Sequence, residues 1–132
     1  MGRLQKLGLL MAVKTKYLAY IRAAAKSEML KANAEYQGGT GGERGGRTNA
    51  NTTEGKLMAY VEASKTADAA RAEWKTAEGR ALQLIAKQGK ELHAVVLQMY
   101  YVDFMTVEAI AAALHYSSRQ IWRLKKKAEQ AL

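Results

Sequence analysis

The residues best suited to binding chemistry form a polar and basic run near the C-terminus of this 132-residue chain. Ser117 is a good helix N-cap, and Gln120 three residues later completes a capping box. From Ile121 onward, apolar residues recur every three or four positions, which is the spacing of one helix face. The sequence therefore predicts a short helix after Ser117 with a buried side and a polar, basic outer side.

A second short helix is predicted just upstream, over about residues 106–114, and a tight turn at His115 separates the two. This layout is that of a helix-turn-helix DNA reader. Glycine is usual at such a turn because φ is often positive there, and histidine is among the residues that tolerate this conformation. The predicted core of the unit consists of Ile110, Ala111, Leu114, Ile121, Leu124 and Ala128.

The outer side of the second helix is predicted to bind double-stranded DNA. Arg119 is the best candidate for a bidentate contact to guanine, and Arg123 is the next. Ser118 and Gln120 are expected to contact bases or phosphates. The plainer interpretation is a packing unit, because a basic last turn favours any helix through its dipole. The full predicted DNA-binding set is Ser117, Ser118, Arg119, Gln120, Trp122, Arg123, Lys125, Lys126 and Lys127, with the three lysines expected to lie on phosphates.

The charge distribution agrees with a nucleic-acid partner. The chain has a net charge of +9, and residues 1–37 and 115–132 contribute +5 and +4 of it. Residues 91–114, which precede the basic helix, carry −3. This pattern directs one positive surface toward DNA. The basic N-terminal segment is equally compatible with RNA or an acidic membrane surface.

Other classes of function find little support. The chain has no cysteine, which is compatible with the cytoplasm, and its run Leu9–Val13 is too short for a signal segment or a membrane span. His93 and His115 lie on different predicted elements, and no pair of acids accompanies either. We therefore expect no enzyme activity, no metal site, no cofactor, no small-molecule substrate and no membrane partner.

Upstream of the basic unit, the sequence predicts two long helices. Residues 1–37 form the first, residues 38–53 a flexible loop with six of the eleven glycines, and residues 54–89 the second, which Gly89 ends. A third, short helix over about Lys90–Val102 opens the predicted DNA-binding domain, residues 90–132. The first helix has an apolar stripe of Leu4, Leu7, Met11, Leu18, Ile21, Ala25, Met29, Ala32 and Tyr36. The predicted fold is all-α, with a long antiparallel helical hairpin followed by a three-helix unit.

The segments Val96–Tyr101, Thr106–Ala111 and Ile121–Ala128, with Tyr116 and Ser117 between them, resemble the fourth conserved region of bacterial sigma factors. More narrowly, the chain is similar to phage and prophage regulators of late transcription of the ArpU-like and RinA-like type. The resemblance implies promoter recognition by the second helix of a sigma region-4-like unit, and it leaves contact with host RNA polymerase open. Trp122 is large for an exposed position in the major groove, so it is either partly buried or packed on a thymine methyl.

Two further interpretations stay open. A small-terminase-like protein also joins a helix-turn-helix to oligomerising helices, and it would assemble as a ring on viral DNA. A scaffolding or RNA-binding helical protein would not depend on Arg119 and Arg123. In the regulator interpretation one copy binds weakly, so a homodimer through the long helices or RNA polymerase has to supply further affinity.

Overall fold

The computed structural model describes residues 1–36 and 53–132, and every regular element in these ranges is helical. The all-α prediction is therefore confirmed for the described residues. The elements are α1 (Arg3–Tyr36), α2 (Thr53–Ala86), α3 (Glu91–Leu97), a π-helical segment (Gln98–Val102), α4 (Val107–Leu114) and α5 (Ser118–Gln130). The predicted glycine-rich loop lies outside the described residues, except for Thr53, which begins α2.

The two long helices form where predicted because the chain contains no proline to interrupt them. α2 ends at Ala86, earlier than the predicted end beside Gly89. The N–H groups of Lys87 and Gln88 donate to the carbonyls of Leu84 and Ile85 at 3.2 and 3.0 Å, so the last turn tightens into 3₁₀ geometry. Within the described residues, no helix has both the length and the apolar character needed to cross a membrane.

The chain divides into two compact units. The first unit comprises Met1–Lys16 and Trp74–Leu132, and the second comprises Tyr17–Glu73. The predicted DNA-binding domain, residues 90–132, thus shares its compact unit with the beginning of α1 and the end of α2.

Two groups of buried side chains make up the core of the first unit. The long-helix cluster joins α1, α2, α3 and α5 and consists of Leu10, Val13, Ala81, Ile85, Leu97 and Ala128. The turn cluster joins α3, α4 and α5 and consists of Val96, Val107, Ile110, Ala111 and Ile121. Ile110 and Ile121 are fully buried, and each such side chain stabilises the fold by about 1.5–3 kcal/mol.

The predicted helix-turn-helix core is thus divided between the two clusters. Leu114 and Leu124 are half-buried against the turn cluster, beside the fully buried Ile110 and Ile121. Ala128 is also fully buried, but it belongs to the long-helix cluster. α5 therefore packs on the long helices as well as on α4.

The buried face of α1 differs from the predicted stripe. Leu10 and Val13 are fully buried, whereas Leu4 and Met11 of the stripe are 79% and 60% exposed. These two residues of the predicted stripe therefore lie outside the buried face of the helix, although the helix itself forms where predicted. The physical reason is that apolar residues occur all around α1, so periodicity alone selects no single face.

The second unit contains mostly small buried side chains. Ser27 of α1 and Ala63 and Ala67 of α2 are buried there. Ala63 and Ala67 are four residues apart and therefore lie on one side of α2. Small side chains bury little apolar area, so this unit gains less from the hydrophobic effect than the first.

Candidate nucleic-acid interface

The turn before the basic helix has the geometry that the sequence predicts. Thr106 caps α4, because its side chain accepts a hydrogen bond from the Ala109 N–H at 3.1 Å. At the other end, His115 has φ 63° and ψ 41°, which is the left-handed conformation. The N–H of Tyr116 donates to the Ala111 carbonyl at 2.9 Å and closes the end of α4. The predicted positive φ at His115 is confirmed.

The capping box at the start of α5 is also confirmed. Ser117 Oγ accepts from the Gln120 N–H at 3.2 Å, and Gln120 Oε1 accepts from the Ser117 N–H at 2.9 Å. Such a cap stabilises a helix by about 1 kcal/mol. The side-chain oxygens of Ser117 and Gln120 therefore hold the helix end, which limits the part they can take in binding DNA.

Four predicted contact residues share one exposed face of α5. All four are exposed: Arg119, Trp122, Arg123 and Lys126. The last three lie three, four and seven residues after Arg119 in α5. Residues at these spacings lie on one side of a helix. This set, which we call the outer face of α5, presents three cations and one indole ring.

Two other members of the predicted set lie beside the outer face. Ser118 is the first residue of α5 and is half-buried. Lys127 is exposed but lies about 100° around the helix from Lys126. Its charge lowers the pKa of His93 of α3, so it lies on the side of α5 nearer to α3. Ser118 and Lys127 therefore lie at the edges of the outer face of α5, where they can still contact DNA, and not at its centre.

Lys125 corrects the predicted set, because it is a buried lysine rather than a surface one. It is only 9% exposed, and its Nζ lies 2.7 Å from Glu129 Oε2. The same ammonium lies 4.4 Å from the centre of the Tyr100 ring and 5.3 Å from that of Trp122. Lys125 follows the buried Ile121 by one turn, so its aliphatic stem covers apolar surface while its charge is paired. Lys125 therefore does not present its charge to a phosphate, and the prediction that it does is wrong.

Glu129 also accepts a hydrogen bond from the hydroxyl of Tyr101 in the π-helical segment. Burial, together with this hydrogen bond, raises the pKa of Tyr101 well above the ordinary value near 10. The phenol therefore stays protonated and donates a hydrogen bond to the carboxylate of Glu129. Sequence reasoning missed this connection: the four-residue spacing of Lys125 and Glu129 was a usable signal, but nothing marked the partner Tyr101.

His93 is buried on α3. Burial lowers its pKa below the ordinary value near 6.5, and the charges of Lys90 and Lys127 lower it further. The ring is therefore neutral at neutral pH, which suits a packed side chain. No group of three metal-binding side chains occurs among residues 1–36 and 53–132.

Two surface concavities flank α5. One has a volume of about 290 Å³ and is lined by Leu92, Tyr116, Gln120, Arg123 and Leu124. The other has a volume of about 330 Å³ and is lined by Trp122, Arg123, Lys125, Lys126 and Glu129. Arg123 lines both, so this residue lies between the two recesses.

The chain matches no family model, and comparisons with curated proteins and with solved structures give no significant match. The resemblance to sigma region 4 and to the phage regulators therefore stays a prediction from the residues quoted above.

Proposed function

We propose that this protein is a sequence-specific, double-stranded DNA-binding transcription regulator of the phage or prophage type. The observation that carries the proposal is the outer face of α5. Arg119, Arg123 and Lys126 are exposed on one side of a capped helix whose opposite side, at Ile121, is fully buried. A rigid helix with cations on one exposed face suits the major groove of DNA.

The N-terminal turn of α5 enters the groove in this mechanism. Arg119 lies in that turn and donates two hydrogen bonds to guanine O6 and N7, and Arg123 reads the next position along the helix. Lys126 and Lys127 neutralise phosphates and orient the protein on the duplex. The capping box and the ion pair of Lys125 hold α5 in place.

The finer arrangement that we propose is sigma region-4-like, with α3, α4 and α5 as its three helices and α1 and α2 as a long antiparallel hairpin. One copy neutralises only a few phosphates, and non-specific binding of that kind has a Kd of about 10⁻⁴ to 10⁻⁶ M. Useful promoter selection therefore requires a homodimer through the long helices or contact with host RNA polymerase. The proposed site of action is the cytoplasm of a bacterial host.

Fluorescence anisotropy on a pool of random-sequence duplexes at two salt concentrations tests the proposal. We expect one class of duplexes to be preferred, and the double variant Arg119→Ala, Arg123→Ala to lose that preference. The matched control is Arg71→Ala, Arg80→Ala, which removes the same charge from exposed positions of α2. Equal binding by the two double variants, with no preferred sequence, would show that α4 and α5 are a packing unit.

A small-terminase-like packaging protein is the second candidate, and exposed apolar side chains on the long helices favour it. Leu18, Ile21 and Met29 of α1 are at least 40% exposed, which is typical of helices that oligomerise. Such a protein would assemble as a ring on viral DNA. Mass photometry separates the two: about eight or more copies favours packaging, and one or two copies favours a regulator.

A further inference from the structure

Trp122 is the apolar member of the outer face of α5. Its side chain is 54% exposed, although tryptophan is a residue that folded proteins usually bury. Arg119 precedes it by three residues and Lys126 follows it by four, so it lies between cations on the same side of the helix. An indole held among cations that bind DNA would lie against the same ligand as they do.

The indole lies beside the buried Lys125, which in turn contacts the half-buried Glu129, Tyr100 and Tyr101. Lys125 Nζ lies 5.3 Å from the centre of the Trp122 ring, and its position is set by Glu129 at 2.7 Å and by the Tyr100 ring at 4.4 Å. Attraction between the ammonium and the ring favours one orientation of the indole. The exposed part of the ring is thus a pre-oriented apolar surface.

The major groove displays one apolar group to such a surface, which is the 5-methyl of thymine. We propose that Trp122 packs on a thymine methyl and so determines specificity for a T·A pair beside the bases read by Arg119 and Arg123. This inference rests on the proposed DNA-binding function. Stacking on an unpaired base is the other chemistry open to an indole, but it requires bases turned out of a duplex, which a helix lying in the groove does not need.

Replacement of thymine by uracil removes that methyl group and leaves every hydrogen-bonding group of the base pair unchanged. The probes are the duplex most strongly enriched from a random pool, the same duplex with deoxyuridine at each thymidine in turn, and its single strands. The full-length chain is tested as wild type, as Trp122→Ala and as Trp122→Phe. The control is Leu82→Ala, which truncates an exposed apolar side chain on α2 in the same compact unit.

We expect deoxyuridine at one position to weaken binding of the wild type about 4- to 10-fold, as loss of a buried methyl predicts. Trp122→Ala should bind both duplexes equally, Trp122→Phe should retain part of the difference, and Leu82→Ala should behave as wild type. Circular dichroism checks that the helices of each variant are intact.

Three results would overturn the inference. They are equal binding of the wild type to thymine and uracil duplexes, an unchanged thymine preference in Trp122→Ala, and tighter binding to the single strand than to the duplex. Where either of the first two results occurs but Arg119→Ala, Arg123→Ala still abolishes sequence preference, the proposed function stands and only the role of Trp122 fails. Tighter binding to the single strand, or an unchanged sequence preference in Arg119→Ala, Arg123→Ala, removes the proposed function as well.

Discussion

At the scale of single residues, two non-glycine positions among the described residues have positive φ, namely Phe104 at 58° and His115 at 63°. The left-handed conformation costs an L-residue roughly 1–2 kcal/mol. Phe104 packs against the long-helix cluster, so burial of its ring offsets that cost. His115 is exposed, and its conformation serves only to direct the chain from α4 into α5.

His115→Gly should therefore stabilise the protein. Glycine adopts positive φ without steric cost, but its greater freedom in the unfolded chain cancels part of the gain. We expect the free energy of unfolding in urea to rise by about 0.5–1 kcal/mol. His115→Ala is the control and should be slightly less stable than wild type, because alanine tolerates this conformation less well than histidine. A glycine variant less stable than the alanine variant would contradict the account.

His93 should make stability depend on pH. Its pKa is lowered in the folded state by burial and by the nearby cations Lys90 and Lys127, whereas in the unfolded chain it titrates near the ordinary value of about 6.5. The unfolded state thus binds a proton first as the pH falls. We expect the full stabilisation above about pH 6.5 and a progressive loss below it, through the lowered pKa of the folded state.

Urea unfolding at a series of pH values measures this effect. His93→Gln removes the titrating group and should flatten the curve just below pH 6.5. An unchanged slope in His93→Gln would assign the pH dependence to other groups.

At the scale of elements, α5 is held on several sides. Ile121 belongs to the turn cluster and Ala128 to the long-helix cluster, so α5 packs on α4 near its start and on the long helices near its end. The π-helical segment is joined to it by the hydrogen bond from Tyr101 to Glu129. A helix that reads DNA has to keep its angle to the rest of the protein, and these contacts fix that angle.

Tyr101→Phe should weaken the attachment of α5 without changing its outer face. The substitution removes a half-buried hydroxyl that donates to a carboxylate, and such a hydrogen bond contributes about 1–2 kcal/mol. Tyr100→Phe is the matched control, because the contact of Tyr100 with Lys125 is made by its ring, which phenylalanine keeps. We expect urea unfolding to separate the two variants by about 1 kcal/mol. Equal stabilities would mean that the hydroxyl of Tyr101 adds nothing.

At the scale of the whole molecule, the net charge of +9 matters through its placement. Residues 91–114 are acidic and residues 115–132 basic, so within this C-terminal part of the chain the positive charge is concentrated on α5. The four cations that remain exposed there are Arg119, Arg123, Lys126 and Lys127. Their number, and not the charge of the whole chain, should determine how strongly binding depends on salt.

We expect the logarithm of the association constant to fall with the logarithm of salt concentration with a slope of roughly −3 to −4 for each bound copy. Lys126→Ala, Lys127→Ala should reduce the magnitude of that slope by about 2. Lys125→Met should leave it unchanged, because Lys125 is paired with Glu129 inside the protein. Anisotropy titrations across a range of salt concentrations test this, and a changed slope in Lys125→Met would place that lysine on DNA after all.

Local signals were enough to predict the two long helices, α4, α5 and the turn, but not the change at Gln98 from α3 to a π-helical segment, where one helix over about Lys90–Val102 was predicted. These signals act within one or two helical turns, so neighbouring residues reveal them. They are the absence of proline, the Ser117–Gln120 capping box, and the recurrence of apolar residues every three or four positions around Ile110 and Ile121. The position of His115 in a left-handed turn followed from the same short-range pattern. These features account for the all-α fold and for most of the outer face of α5.

Tertiary packing alone decided which face of α1 is buried and where Lys125 lies. Apolar residues surround α1, and only contact with Ala81 and Ile85 in the long-helix cluster selects Leu10 rather than Met11. Three consecutive lysines look equivalent in the sequence, but Glu129 and the Tyr100 and Tyr101 rings draw one of them inward. Both results depend on partners far apart along the chain, and periodicity within one helix carries no information about them.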